Sequence, residues 1–414
     1  MPELISGNRR KGLWLSLGLA LLPACSEQSG WPTGESWPVV EAMVSPIDAE
    51  SLGVRNLISF DVYADGAVLH ALFAGATADT GKPLIGYLRS DDGGRHWSLP
   101  KEVGPRPDAA LESRIGNDVQ IAAAGANLLA VWQISGEIPG MGPLLVMTSG
   151  DDGRTWQPGA NPIGVDTDQS HADLAADGQG RFHLVWLDDR DENGYQGIRY
   201  AGSSDGGRHW QWTATIDESS CSCCWNRLAV SPDGQLNALY RDMEPRDMAL
   251  AQSADGGHNW SRTATVGEFN WIFDGCPHNG GGLATADGKA WHGLVWTGAD
   301  NKVGLYHLQS ADGGKTWSAP QAMSLDSPAF HGDIAVVDAE HVVAIWDVLG
   351  PEGSSVAISG TVDNGAHWSS ARTLSAPGST ASFPRLLATP AGVLAMWVEQ
   401  TPDGPKQWRS AILK

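Results

Sequence analysis

Seven short apolar runs, each closing on an aromatic residue, recur along the chain: Val68–Phe73, Leu128–Trp132, Phe182–Trp186, Leu236–Tyr240, His292–Trp296, Val342–Trp346 and Val393–Trp397. Their closing aromatics stand 59, 54, 54, 56, 50 and 51 residues apart. Runs this short, rich in Val, Leu and aromatics and bounded by turn residues, predict buried strands. A shorter strand and a turn precede each run, as in Asp173–Gly178 and Leu228–Gly234. The period is too long for a helical solenoid and suits one four-stranded propeller blade with its loops.

An eight-residue phrase, Ser-x-Asp-x-Gly-x-x-Trp, follows six of the seven runs. Its copies end at Trp97, Trp156, Trp210, Trp260, Trp317 and Trp368, the last opening on Thr361. The Asp carboxylate can accept backbone N–H groups of a turn, Gly supplies a positive φ, and Trp folds back as an apolar lid. The phrase therefore reads as a hairpin staple. It resembles the Asp-box (BNR) repeat of the sialidase-like propellers, which implies an all-β propeller with the boxes on the rim away from any substrate.

Counting strands gives seven blades, with six as the alternative because sialidase enzymes have six. The seventh unit ends at Lys414 with no residues left for an outer strand. Closing the ring then calls on the N-terminal stretch Pro38–Met43 to supply that strand and hide the open edge.

The ends divide the chain into three parts. Arg9, Arg10 and Lys11 form a basic segment, Gly12–Leu22 an apolar one, and Leu22-Pro23-Ala24-Cys25 resembles a bacterial lipobox. Residues 1–24 then read as a lipoprotein signal peptide, Cys25 as the lipidated residue, 25–38 as a flexible tether and 39–414 as one propeller domain. The resemblance implies a lipid-anchored protein of the bacterial envelope, on the periplasmic face of the outer membrane or at the cell surface. The membrane would be met through that anchor only, since no later segment is apolar enough to span it. A net charge of −21 repels phosphate backbones and argues against a nucleic-acid partner.

In a propeller, the starts of the innermost strands and the loops between second and third strands share one face. Asp118, His171, His331 and Arg385 enter that face, with Arg55 from the first unit. Units four and five bring Cys221-Ser222-Cys223-Cys224 and Cys276-Pro277-His278 to matching positions, counted back from Leu228 and Leu283. Thiolates with imidazole suit copper(I) or zinc, copper before zinc, and Met243 could add a thioether. His171 and His331 enter from flanking units and could serve a second or shared ion. The competing reading pairs the four cysteines as disulfides with no metal, as an oxidising envelope allows. The stretch also resembles a group of bacterial Asp-box proteins that carry Cys-x-Cys-Cys, an Arg-Asp in the next loop (Arg241-Asp242 and Arg246-Asp247 here) and Asp-Gly-Cys-Pro-His (Asp274–His278). That likeness implies a dedicated site without naming its activity.

Two further readings remain open. The resemblance to sialidases implies three arginines clamping a carboxylate, for which Arg55, Arg241 or Arg246, and Arg385 are the matches, with Asp118 as the acid. That family's tyrosine nucleophile comes late in the chain, whereas the last tyrosine here is Tyr306. Alternatively the loops Leu187–Gln196 and Arg241–Asp247 could hold an envelope protein or a glycan.

Overall fold

The computed structural model describes residues 37–47, 54–77, 81–104, 110–137, 139–162, 168–188, 196–324 and 328–414. The signal segment, Cys25, most of the tether and residues 189–195 of one proposed recognition loop lie outside the described residues. So does the side chain of Arg55. Among the described residues there is no helix, and none therefore long and apolar enough to cross a membrane.

Seven four-stranded antiparallel sheets follow one another around a closed ring. The seven-blade count holds and the six-blade alternative falls. In six blades the strands run in chain order from the axis outward. In the seventh, the inner strand Thr380–Thr389, then Gly392–Gln400 and Lys406–Leu413, are completed on the outside by the N-terminal strand Val40–Val44. This is the predicted closure, with Val40 opposite Leu413 and Val44 opposite Ser410.

The second strands are largely buried because each is covered on both faces by neighbouring blades. In blade three, Leu184 and Trp186 pack on Ala122, Leu129 and Val131 of blade two. The alternate residues Val185 and Leu187 pack on Leu236, Ala238 and Tyr240 of blade four. Each box caps the hairpin from third to outer strand. In the fifth, Ser310 Oγ accepts the Gly314 N–H at 3.0 Å and donates to Asp312 at 2.8 Å. Asp312 accepts the Thr316 N–H at 2.9 Å, and Trp317 Nε1 donates to the Gly314 carbonyl at 3.0 Å. Gly313 and Gly314 stand at φ 77° and 84°, where a side chain would be strained.

The axis is held by charge. Asp61, Gln120, Asp173, Arg227, Asp333 and Arg385 each pair with the residue just before the aromatic of their own second strand. They therefore form a ring of corresponding positions. Blade five contributes Gly281, opposite Val295, where a side chain would meet the Leu239 side chain and the Leu294 carbonyl, each at 3.1 Å. All three carboxylates of the ring reach into the next blade: Asp61 accepts the Ile121 N–H, Asp173 that of Leu228 and Asp333 that of Leu386.

Candidate metal centre

The two cysteine loops meet at the junction of blades four and five. Cys221–Cys224 leads from the outer strand Trp212–Ser220 into the inner strand Arg227–Val230. Cys276–His278 lies between Ser261–Val266 and Gly281–Thr285. The intervening loop 241–247 grips both. The Cys221 N–H donates to the Arg241 carbonyl at 2.8 Å, and Asp247 accepts the N–H groups of Asn270 and Trp271. The Arg241 side chain, 1% exposed, donates to the carbonyls of Asn279, Arg246 and Trp296. The Arg-Asp pairs thus clamp the loops that carry the sulfurs.

Two overlapping sets of ligand atoms result. Cys221, Cys223 and Cys224 form a buried set, and Cys223, Cys276 and His278 a partly exposed one; within each, all ligand atoms lie within 4.8 Å of one another. Cys223 belongs to both. The Sγ atoms of Cys221 and Cys223 are 3.8 Å apart and those of Cys221 and Cys224 2.9 Å, and all four cysteines are free.

Hydrogen bonds from Cys223 and Cys224 pull the Cys221 thiol far below its ordinary range, with the Arg246 guanidinium contributing. The bond to Cys221 holds Cys223 up, and burial does the same for Cys224. Three buried polar atoms around the loops have no hydrogen-bond partner: Asn226 Oδ1, Asn279 Oδ1 and Arg246 Nη1.

The histidines separate. Burial, followed by the Arg114 charge, lowers His171 to about 3, so it is neutral; it lies close enough to be influenced by Cys221 and His278 but belongs to neither ligand set. Its Nδ1 is 3.0 Å from Ser170 Oγ. His331 is placed apart from the sulfurs: its Nδ1 meets Asp347 at 2.7 Å and its ring stacks on Phe383 at 3.9 Å. Met243 sits half-buried in the clamp loop, its N–H donating to Asp242.

His171, His331, Asp118 and Arg385 line a small axial cavity instead, together with Trp225 and Phe383. None of the cysteines lines it, so the cluster stands beside the axis on the same face. The cavity has about 40 Å³ of room for water, on the order of three molecules, too little for a sugar ring. Arg385 is ion-paired to Asp118 and 3.6 Å from Asp61. Burial works against its charge, but the carboxylates of Asp118 and Asp61 prevail and raise its pKa. Burial in turn pushes Asp61 up to about 6.

The sialidase constellation is therefore not assembled among the described residues. Arg241 is spent on backbone carbonyls, Arg385 is neutralised by Asp118, and no tyrosine lines the cavity. Tyr63, Tyr200 and Tyr306 donate to the carbonyls of Ala176, Gly256 and Lys302, and Tyr240 donates to Asp217. The sequence had offered Arg241 as a substrate clamp; its burial under three carbonyls corrects that.

Comparison with known proteins supports the Asp-box reading: residues 56–220 match the BNR repeat-like domain. No curated protein sequence matches the chain. Among solved structures, a protein of unknown function from Dyadobacter fermentans is 14% identical with a TM-score of 0.52, covering 91% of this chain and 99% of its own. A polysaccharide lyase, the PL25 ulvan lyase, is 12% identical with a TM-score of 0.59 over 89% and 95%. The phage phi92 endosialidase is 11% identical with a TM-score of 0.51 over 90% and 69%. At such identities the likeness is one of fold.

Proposed function

We propose that this propeller binds a soft metal ion, copper(I) before zinc, at the junction of blades four and five, with Cys223, Cys276 and His278 as its outer ligands. The observation that carries the reading is the convergence of residues from two blades, 53 residues apart in the case of Cys223 and Cys276, on a site within 4.8 Å. Two thiolates and an imidazole form a donor set suited to copper(I) and zinc. Cys276 and His278 are exposed and give an ion a way in, while Cys221 and Cys224 lie 1% exposed behind Cys223. We further propose that Cys25 anchors the domain in the bacterial envelope, on the strength of the basic and apolar segments that precede it. Incorporation of labelled palmitate, lost on Cys25→Ala, tests the anchor.

The binding chemistry follows from ligand softness. The thiolates supply charge and covalency, and His278 supplies a neutral nitrogen that cannot take part in a disulfide. Replacing His278 by Ala removes one ligand of the outer set from an exposed position, so the fold should persist. Titration of reduced protein with copper(I) against a chromophoric chelator is expected to show tenfold or more weaker binding in His278→Ala; loss of even an outer-shell partner typically costs about 10- to 100-fold. Unchanged affinity in the variant, or no binding in the parent, would remove the reading.

A further inference from the structure

We infer that Cys221 and Cys224 form a dithiol that reduces copper(II), delivering copper(I) to the Cys223, Cys276 and His278 set. The inference rests on the metal-binding reading and adds an activity to it.

The sulfur spacing separates the roles. Two sulfurs bound to one tetrahedral ion at about 2.3 Å stand about 3.8 Å from each other. Cys221 and Cys223 are at that separation, 3.8 Å. Cys221 and Cys224 are 2.9 Å apart, too close to share an ion comfortably and about half of the way from 3.8 Å to the roughly 2.05 Å of a disulfide. The pair stands in a Cys-x-x-Cys arrangement, whose short loop lets the two sulfurs meet with little movement of the backbone. The buried set thus holds one pair arranged for bonding to each other and one sulfur, Cys223, shared with the outer set.

Access points the same way. With Cys221 and Cys224 1% exposed, an oxidant in solution cannot strike either sulfur directly. It can bind at exposed Cys276 and His278, next to Cys223, which lies in contact range of Cys221. Electrons then leave the dithiol through the sulfur that both sets share. The reaction balances as one Cys221 thiol, one Cys224 thiol and two copper(II) ions giving one Cys221–Cys224 disulfide, two copper(I) ions and two protons. Two S–H bonds break and one S–S bond forms. Each copper ion gains one electron, and both protons pass to solvent. One copper(I) stays on Cys223, Cys276 and His278, and the other is released.

The test uses the reduced full-length protein under anaerobic conditions with copper(II) chloride as the oxidant. Copper(I) is read with bicinchoninate, and thiols are located by alkylation with one label before reduction and a second label after it. The expected result is about two copper(I) ions per chain, the second label confined to Cys221 and Cys224, and the first label on Cys223 and Cys276 once copper is chelated. Cys224→Ser should produce no disulfide while still binding copper(I) supplied directly. If that variant fails to fold, the label map of the parent protein decides alone. A disulfide joining Cys223 to Cys276, or no copper(I) formed from copper(II), overturns the inference. Copper(I) supplied directly tests the binding site separately: binding without reduction sinks only the dithiol, and reduction without retention sinks only the site.

Discussion

At the scale of single residues, the interior holds histidines that must stay neutral. His70 Nδ1 lies 2.8 Å from the Tyr87 hydroxyl, and burial lowers its pKa to about 4. Burial also lowers His307 to about 3, with neighbouring His292 adding to the effect. In the unfolded chain such groups titrate near 6.5, so as pH falls below that value the unfolded state takes up protons first and the fold loses stability. Asp61 has the opposite sign: raised to about 6, it binds its proton first in the folded state and favours folding as pH drops toward 4. His70→Gln should therefore flatten the acid limb of stability, by at most about 3 kcal/mol between pH 7 and pH 4, and Asp61→Asn should steepen it. Urea unfolding of both variants and the parent at pH 7, 5.5 and 4.5 checks both signs; parallel curves for all three would refute the assignment.

At the scale of elements, the box and the clamp loop show what could be read from the sequence and what could not. The box is local: Ser310, Asp312, Gly314 and Trp317 bond to one another within eight residues, so its spacing announces it. Its Asp-to-turn bonds and glycine conformations were legible, and the role of its serine was not, because a hydroxyl can serve many partners. Ser310→Ala leaves the buried Gly314 N–H unpaired and should cost about 1–3 kcal/mol, read as a lower urea midpoint with an unchanged slope. A loss within a few tenths would show that water replaces the hydroxyl. The clamp, by contrast, joins Arg241 to carbonyls 38 and 55 residues away, contacts that no local pattern encodes. The same blindness extends to His331, whose place on the axial face was legible but whose partner Asp347 was not. Its position recurs as His171 and Phe383 in other blades, all with positive φ of 49°, 35° and 52° for His171, His331 and Phe383. What recurs there is a backbone bulge ahead of the axial ring, and a phenylalanine fills it as readily as an imidazole. The matched cysteines were legible because two loops repeat a pattern at one blade's spacing; the short outer strands such as Gln321–Ala322 carried no apolar signal at all.

At the scale of the whole molecule, stability depends on closing a ring whose seventh sheet is built from both ends of the chain. The N-terminal strand covers the edge of Lys406–Leu413, and Val39 and Lys414 exchange backbone hydrogen bonds at 2.7 and 2.9 Å. Just ahead of it, Trp37 is 1% exposed, packs edge-on against His341 at 5.1 Å and lies over Gly360, where any side chain would collide with its ring. Glu41 adds an ion pair to Arg95 in the first box. The strand thus ties blade seven to blades six and one. Removing residues through Val44 should uncover an unpaired strand edge and leave a cavity where Trp37 packed. Trp37→Ala alone is expected to cost about 3–5 kcal/mol. The shortened chain should melt at markedly lower temperature in one cooperative step and form edge-paired dimers as its concentration rises. A synthetic peptide spanning residues 37–47 should restore the melting temperature and suppress those dimers, because it supplies the missing strand in trans. A shortened chain that melts like the parent would show that the ring closes without its N-terminal strand.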